Sequence, residues 1–545
     1  MSSEKPYPPL GAHTALRYAV LVDRAHLQHW QEQSIHSLSA QGDICAVVLR
    51  VVDPAQTTPR SRFWPWLVET ASALGKYDGT SGNAGPRPVE TGEVGPLLAE
   101  HRLDLVLDLR EKATAIAIEV PTHGVWRLSF PAPPARLAAE ALLRRDLTIS
   151  VGLHRTARDG TAELLIEGEY GVVRTSAAKT RDRVLRGAAT FPARAARTIR
   201  FGLRHSPGLG PSREYPVTPP AHLWRTRLAL AMLRERAKKA VLDAVTETFW
   251  AIGVVKAPVE RILDGQVTSD LFHWYPGSDR DSYLADPIPL PSDPGTVYAE
   301  EFDHMTGRGV LIATTYSETD GWSGREVVAR ESFHMSYPYM IEYGEETLCI
   351  PETGWNSAVS IYRKKDSPHL EKVCDILSGI AAGDPTAFQW GGYWWMFYTD
   401  CFEPRDTDLY IWYAATPWGP WEPHSRNPVK SNVSSSRPAG APFVLGGRLM
   451  RPAQDDAGRY GWRMVVNELL ELSPTEFKEV TVTEIGPFTD GPYPAGPHTL
   501  SIAGPYVYVD GKRRVVSLSL KARRHLMRLR AKLRQARQGS RQRED

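Results

Sequence analysis

The fold is decided by one stretch, Gly383-Asp384-Pro385-Thr386-Ala387-Phe388-Gln389-Trp390-Gly391-Gly392-Tyr393-Trp394-Trp395-Met396-Phe397-Tyr398. It opens with an acid-Pro pair, continues as an apolar run, turns at a Gly-Gly pair and ends in an aromatic run. Two apolar runs joined by such a turn predict an antiparallel hairpin, with the acid at the mouth of its first strand. We interpret the stretch as the two innermost strands of an antiparallel β-sheet.

The same pattern recurs through the second half of the chain. The related openings are Ala285-Asp286-Pro287, Ser336-Tyr337-Pro338, Ser436-Arg437-Pro438 and Gly496-Pro497-His498. With Pro385 included, the prolines at 287, 338, 385, 438 and 497 are spaced by 51, 47, 53 and 59 residues. A period of about 40–60 residues is typical of β-propeller blades. The five copies therefore predict an all-β five-bladed β-propeller, whose blades converge on a central polar volume that we call the funnel.

The first part of the chain has a different pattern. Short apolar runs at residues 18–22, 44–49 and 103–109 predict buried strands, and residues 25–39 have helical periodicity. Strand, helix, strand is typical of an α/β fold with parallel pairing, so we predict a Rossmann-type α/β domain. The first strand is not followed by GxGxxG, so a dinucleotide fingerprint is absent.

A chain of 545 residues exceeds what one hydrophobic core organises, which predicts more than one domain. We predict an α/β domain over residues 1–206 and a Gly/Pro-rich linker over 207–222. The propeller, with a leading helix, is predicted over 223–517. A basic helix or tail follows over 518–545, and it could meet an anionic partner, although a frayed helix is the preferred interpretation.

Composition excludes several classes of protein. The net charge of +2 argues against a specific nucleic-acid binder. The four cysteines form no CxxC pair and are too sparse for a disulfide framework, so we expect reduced thiols. Residues 1–16 lack a signal-peptide pattern, and no apolar stretch reaches the length of a transmembrane segment. We expect a cytoplasmic protein.

The segment Gly124-Val125-Trp126-Arg127-Leu128-Ser129-Phe130, together with the strand order, resembles the N-terminal domain of formyltransferases. That family places an Asn, a His and an Asp around the transferred carbon. The resemblance would put a histidine shortly after Trp126, where this chain has Leu128, Ser129 and Phe130, and His123 lies on the other side of Trp126. We expect a degenerate domain kept for packing or partner binding, with sugar N-formyl transfer as an alternative.

The propeller resembles glycoside hydrolases of the arabinanase and β-xylosidase type. The resemblance is carried by Leu284-Ala285-Asp286-Pro287, Asp384-Pro385-Thr386-Ala387-Phe388 and Gly496-Pro497-His498. It implies that Asp286 is the general base and that Asp384 tunes the acid's pKa and holds the sugar. It also implies that His498 is an axial ligand of a central metal ion such as calcium.

One part of that family's pattern is missing. The resemblance implies a glutamate as general acid in blade four, but the blade-four opening reads Ser434-Ser435-Ser436-Arg437-Pro438. Two replacement acids stay open, Glu352 on the second strand of blade two and Asp455 on the second strand of blade four. A split carboxyl pair is what glycoside hydrolysis requires.

A further resemblance is to the N-terminal domain family of glucosamine inositolphosphorylceramide transferases. It is carried by His334-Met335-Ser336-Tyr337-Pro338, Ile350-Pro351-Glu352, Trp394-Trp395-Met396-Phe397, Ser435-Ser436-Arg437-Pro438-Ala439-Gly440, Arg451-Pro452-Ala453-Gln454-Asp455 and Tyr460-Gly461. It implies a propeller and a sugar-related role without a mechanism. The expected substrate-binding residues are His334, Arg437, Arg451, Gln454 and Tyr460.

These patterns predict a carbohydrate-active propeller that is similar to a glycoside hydrolase or transglycosylase and acts on a glycan or glycoconjugate. A non-catalytic glycan-binding or scaffold propeller is the first alternative, so enzymatic activity stays open. Space-filling aromatic residues and strand-end Asp-Pro pairs are common without any ligand. Five aligned polar openings favour a site.

Overall fold

A computed structural model describes residues 15–23, 26–52, 87–110, 116–130, 132–203, 224–265, 268–277, 281–365, 367–402 and 404–527. The chain forms two compact units, Met1–Leu233 and Arg234–Asp545. The predicted linker at 207–222 lies outside the described residues, as does the tail beyond residue 527. Within the described ranges, no helix combines the length and the apolar character that crossing a bilayer requires.

The first unit contains a seven-stranded mixed sheet. Its strands are β1 (Arg17–Val22), β2 (Ile44–Val52), β3 (Arg87–Glu90), β4 (Leu105–Asp108), β5 (Val125–Ser129), β6 (Thr148–Thr156) and β7 (Ala162–Gly171). The order is β3-β2-β1-β4-β5-β6-β7. Strands β3, β2, β1, β4 and β5 pair in parallel, and β6 and β7 continue the sheet antiparallel. The predicted α/β class is confirmed, while a formyltransferase identity stays a prediction.

Helices complete this unit. They are α1 (His29–Ser39), α2 (Val94–Ala99), α3 (Pro134–Arg144), α4 (Ala177–Ala188) and α5 (Phe191–Arg200). The packing is tight enough that a Cβ added at Gly187 would lie 2.1 Å from the ring of Tyr170. Trp126 and Phe191 are fully buried in the same core, which explains the aromatic residue in the Gly124–Phe130 segment. Helix α6 (Trp224–Val245) follows, and it corresponds to the leading helix that the sequence predicted.

The second unit holds five sheets, which confirms the five-bladed propeller. Blade one is β10 (Ser282–Leu290), β11 (Asp293–Asp303), β12 (Arg308–Ser317) and β13 (Gly321–Ala329). Blade two is β14 (Ser336–Tyr343), β15 (Glu346–Glu352), β16 (Ala358–Lys364) and β17 (Leu370–Ser378). Blade three is β18 (Ala382–Trp390), β19 (Tyr393–Asp400), β20 (Asp408–Ala414), β21 (Glu422–Pro423) and β22 (Lys430–Ser431). Blade four is β23 (Phe443–Leu445), β24 (Arg448–Asp455), β25 (Arg463–Leu472) and β26 (Phe477–Ile485).

Blade five is built from both ends of the unit. It combines β27 (Leu500–Ala503) and β28 (Tyr506–Val516) with β8 (Thr246–Lys256) and β9 (His273–Trp274), in the order β27-β28-β8-β9. Strands β28 and β8 pair antiparallel from Tyr506 opposite Lys256 to Val516 opposite Thr246. This pairing closes the ring, because it ties the last strand of the unit to its first. The short helix α7 (Val259–Leu263) lies between β8 and β9.

The basic segment after blade five begins as a helix over residues 518–527. Its first cations pair back onto the propeller: the Lys521 Nζ atom lies 3.0 Å from Glu247 Oε1, and Arg524 Nη2 lies 2.5 Å from the same oxygen. Arg523 forms a forked ion pair with Asp281. The start of the segment is therefore held against the second unit by ion pairs.

Candidate functional site

Three blade openings share an unusual backbone conformation. Asp286, Tyr337 and Asp384 have φ angles of 53°, 46° and 49°, and each precedes a proline. The inner strand bulges at each of these positions, where its register with the second strand shifts. A non-glycine residue in the left-handed region is strained, and a bulge changes the direction of a side chain. Both features are typical of functional sites. In blade two the residue in this position is Tyr337, whereas the sequence predicted Ser336 at the opening.

Tyr337 connects three blades beneath the openings. It is fully buried, its hydroxyl lies 2.8 Å from Thr386 Oγ1, and it accepts a hydrogen bond of 2.9 Å from the Gly440 amide. Gly440 has a φ of +120°, and a Cβ there would lie 1.8 Å from the Leu500 carbonyl oxygen, so only glycine fits. Tyr337 therefore forms part of a rigid floor for the funnel.

Arg437 from blade four is the hub of the polar side chains. Its guanidinium donates from Nε to Asp384 Oδ2 at 2.7 Å and from Nη2 to Asp384 Oδ1 at 3.0 Å. It also donates from Nη1 to Asp406 Oδ1 at 2.6 Å and from Nη2 to Glu352 Oε2 at 3.0 Å. Gln454 Nε2 adds a bond of 2.6 Å to Asp384 Oδ2. The structure thus brings the predicted residues Asp384, Glu352, Arg437 and Gln454 into one buried network.

This network determines the charge of Glu352. Burial alone would raise the pKa of Glu352, but the Arg437 guanidinium and the hydrogen bond from the Asp384 amide at 3.0 Å lower it. A carboxyl whose pKa is lowered holds its negative charge at neutral pH and is a poor proton donor. The geometry therefore favours a charged, structural or substrate-orienting Glu352 over an acid.

Asp286, from blade one, lies beside a second group of polar side chains, which blade five contributes. Its Oδ1 accepts from Thr499 Oγ1 at 2.9 Å, and its Oδ2 accepts from the Tyr337 amide at 3.2 Å. Burial raises the pKa of Asp286, and the nearby His498 partly opposes that shift. A carboxylate whose pKa is moved toward neutrality, with no guanidinium bound to it, suits a general base.

His498 bridges two carboxylates. Its Nδ1 lies 2.5 Å from Asp510 Oδ2 and 3.7 Å from Asp286 Oδ1, and its ring stacks on Trp250 with centroids 3.9 Å apart. Burial alone would lower the pKa of His498, but Asp510 and Asp286 together raise it. The two carboxylates therefore favour the charged form of the imidazole beside the predicted base.

Asp286, His498 and Asp510 have the residue types of a metal site, because their ligand atoms all lie within 4.8 Å of one another. Internal donors already occupy those atoms, however. Asp510 accepts from the amides of His498 at 2.8 Å, Thr499 at 3.1 Å and Asp286 at 3.2 Å, and from the His498 ring. Because the His498 Nδ1 atom is paired with Asp510 and both Asp510 oxygens already accept hydrogen bonds, this group does not fit an ion.

Glu300 was not predicted from the sequence, yet it faces the same space. It lies opposite Ala285 on β11, as Glu352 lies opposite Ser336 on β15, so the two glutamates occupy matching positions of adjacent blades. Glu300 is 6% exposed, and its Oε1 has no hydrogen-bond partner among the described residues. Burial, followed by the charges of Asp286 and Glu352, raises the pKa of Glu300 well above its usual range. Repeat alignment one strand beyond each opening could have identified it.

His334 lies beside Glu300. Its Nδ1 accepts a hydrogen bond of 2.8 Å from the Gly309 amide, so the ring proton sits on Nε2, which lies 3.7 Å from Glu300 Oε1. Burial lowers the pKa of His334, and the ring is therefore neutral. The predicted residue His334 thus contacts the edge of the funnel as a neutral hydrogen-bond donor.

Arg451 and Asp455 lie outside the Arg437 network. Arg451 is bound to Glu479 at 2.7 Å and to the Ser435 carbonyl at 2.6 Å, and Asp455 accepts from Arg463 Nε at 2.6 Å. Side chains alternate between the two faces of a strand, so Gln454 reaches Asp384 while its odd-numbered neighbours on β24 face the opposite side. The expectation that Arg451 and Asp455 crowd the funnel overlooked this alternation.

Tyr460 stands at the mouth of the site. Its ring lies 5.4 Å from the Arg437 Cζ atom and meets the His498 ring edge-on with centroids 5.4 Å apart. The residue is 48% exposed, although its neighbours in the site are buried. Tyr460 is therefore placed where a ligand entering the funnel would meet it.

The propeller matches a known family. Residues 282–486 match the family model described as "Glucosamine inositolphosphorylceramide transferase 1, N-terminal". Glucosamine inositolphosphorylceramide transferase 1 of Oryza sativa subsp. japonica is 27% identical over 260 residues, which cover 43% of this chain and 35% of the relative. The protein of the same name from Arabidopsis thaliana is 27% identical over 208 residues, which cover 37% of this chain and 27% of the relative. The chain thus spans about a third or less of these curated relatives, and the resemblance predicted for the propeller is confirmed.

Solved structures with similar folds include a family 117 glycoside hydrolase of the marine bacterium Zobellia galactanivorans. It has a TM-score of 0.32 and 13% identity, and the match covers 50% of this chain and 91% of that one. An exo-beta-1,3-galactanase from Clostridium thermocellum has a TM-score of 0.30 and 12% identity, with 36% and 49% covered. Similarity at this level carries no information about activity.

Proposed function

We propose that the propeller is a carbohydrate-active domain that hydrolyses or transfers a glycosidic bond at the funnel, with Asp286 as the general base. One observation carries this proposal: carboxyl groups in two states meet in the same buried volume. Asp286 and Glu300 have raised pKa values and no guanidinium partner, whereas Glu352 is held charged by Arg437. Carboxyl groups whose environments push their pKa values apart mark an acid–base assignment.

Each group then has a chemical role. Asp286, held by Thr499 and the Tyr337 amide, would accept a proton from the attacking water or sugar hydroxyl. Glu300, kept neutral by burial, would give its proton to the leaving oxygen. Asp384, fixed by Arg437 and Gln454, would hold a sugar hydroxyl. Burial raises the pKa of Asp384, and the Arg437 charge opposes that shift. The donor role is proposed for Glu300 ahead of Glu352 and Asp455, because both of those carboxyls are paired with arginines.

The family match supports a sugar-related role. The relatives bear the name "Glucosamine inositolphosphorylceramide transferase 1", and this chain matches about a third or less of their length. The region that matches the family covers blades one to four, including Asp286, Glu300, Glu352, Asp384 and Arg437. We propose a glycan or glycoconjugate as its ligand.

A glycan-binding propeller without turnover is the second candidate, and one observation favours it. Both oxygens of Asp384 already accept hydrogen bonds from Arg437 or Gln454, so this carboxyl group has a structural role. Such a network can present hydroxyl-binding groups without performing chemistry.

The test is a screen of the purified chain against aryl furanosides and aryl pyranosides, run beside isothermal titration with free glycans. Release of the aryl group by the wild type, together with loss of that release in Asp286→Asn, supports the catalytic assignment. Glycan binding that persists in Asp286→Asn, with no release from any aryl glycoside, supports the binding module and would sink the catalytic assignment.

A further inference from the structure

The peptide group between Tyr460 and Gly461 is held at both of its polar atoms. Lys512 Nζ, from β28 of blade five, donates a hydrogen bond to the Tyr460 carbonyl oxygen. Asp456 Oδ1, from the end of β24 in blade four, accepts a hydrogen bond of 2.7 Å from the Gly461 amide. Two side chains from adjacent blades therefore bind the carbonyl oxygen and the amide nitrogen of one peptide group in an exposed turn. We call this arrangement the peptide clamp.

The clamp fixes the tyrosine that stands at the funnel mouth. Gly461 has a φ of +58° and packs so closely that a Cβ there would lie 2.4 Å from the Trp250 ring. The Tyr460 ring leans on Arg437 and meets Trp250 edge-on, with centroids 6.4 Å apart. A rotation of this peptide would move the Tyr460 ring off Arg437, because the ring is attached to the residue whose carbonyl Lys512 binds.

We propose that Tyr460 is a platform on which a sugar ring stacks at the funnel mouth, and that Lys512 and Asp456 are positioning residues that hold this platform through the Tyr460–Gly461 peptide. The identity of the ligand as a sugar rests on the proposed function. Tyrosine combines a broad apolar face with a polar edge, which suits contact with the alternating apolar and hydroxyl surfaces of a sugar. Neither Lys512 nor Asp456 needs to touch the ligand.

Burial and neighbouring charges shift the pKa values of the two side chains of the clamp. Burial, then the Arg459 charge, lowers the pKa of Lys512 to about 7, while Asp456 and Asp510 act in the opposite direction and Arg514 adds to the lowering. The Lys512 ammonium also lies 4.8 Å from the centre of the Trp250 ring. At neutral pH this amine is therefore only partly charged.

Asp456 titrates in the same range. Burial, then the Asp406 charge, raises its pKa to about 7, while Arg437, the Gly461 amide and His498 act in the opposite direction. Asp456 and Lys512 thus also interact electrostatically with each other across the peptide that they hold.

Hydrogen–deuterium exchange of the Gly461 amide tests the clamp without any ligand or turnover. After correction for intrinsic exchange, Asp456→Leu should reduce protection by about tenfold or more, the usual effect of losing a hydrogen bond to a charged acceptor. Asp456→Asn keeps an acceptor oxygen and should retain most of the protection. Lys512→Met removes the donor to the Tyr460 carbonyl and should reduce protection as well.

The platform is tested by saturation-transfer NMR with a panel of methyl pyranosides and methyl furanosides. Tyr460→Ala should weaken binding roughly 2–10-fold, and Tyr460→Phe should preserve it, because stacking needs the ring and not the hydroxyl. Binding that survives Tyr460→Ala unchanged would overturn the platform alone. Failure of the wild type to bind any sugar would overturn the platform and the proposed function together. Protection of Gly461 that is unaltered in Asp456→Leu would overturn the clamp.

Discussion

The Arg437 guanidinium binds the Asp384 carboxylate in a forked pair, with Nε 2.7 Å from Oδ2 and Nη2 3.0 Å from Oδ1. Asp384 opens blade three and Arg437 opens blade four, so the pair joins two repeats at the propeller axis. Because Arg437 also binds Asp406 and Glu352, one cation compensates three buried acids. The stability of the propeller and the chemistry of its funnel therefore depend on the same side chain.

Replacement of this cation should be costly. Arg437→Met leaves three carboxylates without their partner, and breaking a buried ion pair typically costs about 3–5 kcal/mol of the free energy of unfolding. Arg437→Lys should not rescue it, because an ammonium cannot form the forked pair. The measurement is the midpoint of propeller unfolding in denaturant.

Arg448→Met is the matched control. Its ion pair with Glu468 lies at the surface of the same blade, with the arginine side chain 54% exposed. Its loss should cost less than about 1 kcal/mol. Equal midpoints for Arg437→Met and Arg448→Met would contradict the role of Arg437 as the hub.

Asp286→Asn should abolish any glycosidic activity while the propeller stays folded. The amide keeps the shape, its oxygen can still accept from the Tyr337 amide and its nitrogen can donate to the Thr499 hydroxyl, but it cannot take a proton. Loss of a general base costs about 10²–10⁴-fold in kcat. Asp490→Asn, at an exposed aspartate on a loop after blade four, is the control and should be neutral. Wild-type turnover in Asp286→Asn would remove Asp286 from the mechanism.

The proton donor can be identified by the leaving group. Glu300→Gln should slow the cleavage of substrates with poor leaving groups far more than those with good ones, since a good leaving group departs without protonation. Glu352→Gln should slow both kinds of substrate to the same extent, because this carboxyl is paired with Arg437. Asp455→Asn should slow neither, because Asp455 faces the other side of β24 and is paired with Arg463. The measurement is kcat against the pKa of the leaving phenol. If only Glu352→Gln or only Asp455→Asn steepens that dependence, that residue is the donor and Glu300 is not.

The stability of the closure should depend on pH through His498. Its folded pKa is raised above the ordinary value of 6.5 by Asp510 and Asp286, so protonation favours the folded state. This stabilisation is fully present below pH 6.5, and it is lost as the pH rises through the folded pKa. The Tm of the propeller should therefore fall more steeply above pH 6.5 in the wild type than in His498→Gln. Parallel Tm profiles would show that His498 is not charged in the fold.

Metal removal should have no effect on the propeller. The candidate ligands Asp286, His498 and Asp510 already satisfy one another, so treatment with EDTA followed by gel filtration should leave the Tm unchanged. Added calcium should not raise it either. A fall in Tm after EDTA that calcium reverses would show that an ion displaces the proton on His498.

The sequence predicted the propeller because an X-Pro opening is a local signal that repeats at nearly constant spacing. Asp286 and Asp384 were found for the same reason, since each lies inside the repeated phrase. Glu300 and Asp456 were missed because their positions depend on strand register and on which face of a strand they occupy.

The strands of blade five also could not be predicted from local sequence patterns. The propeller, with its leading helix, was predicted over residues 223–517, but the repeated phrase first occurs at Asp286, and β8 at Thr246–Lys256 supplies one of the strands of blade five. No local feature of that strand shows that it pairs with β28, more than two hundred residues away. Tyr337 illustrates a similar limit, because the bulge decides whether it or Ser336 opens the blade.

The way the ring closes has a practical consequence for anyone expressing a fragment. Residues 282–486, the part that matches the family, begin at the first strand of blade one and end after the last strand of blade four. A fragment cut at those limits would be an open arc that lacks Thr499, Asp510 and Trp250. Its Asp286 would keep its place in the chain but lose the blade-five donors that orient it. Fragments intended for activity measurements should therefore begin before Thr246 and extend past Val516.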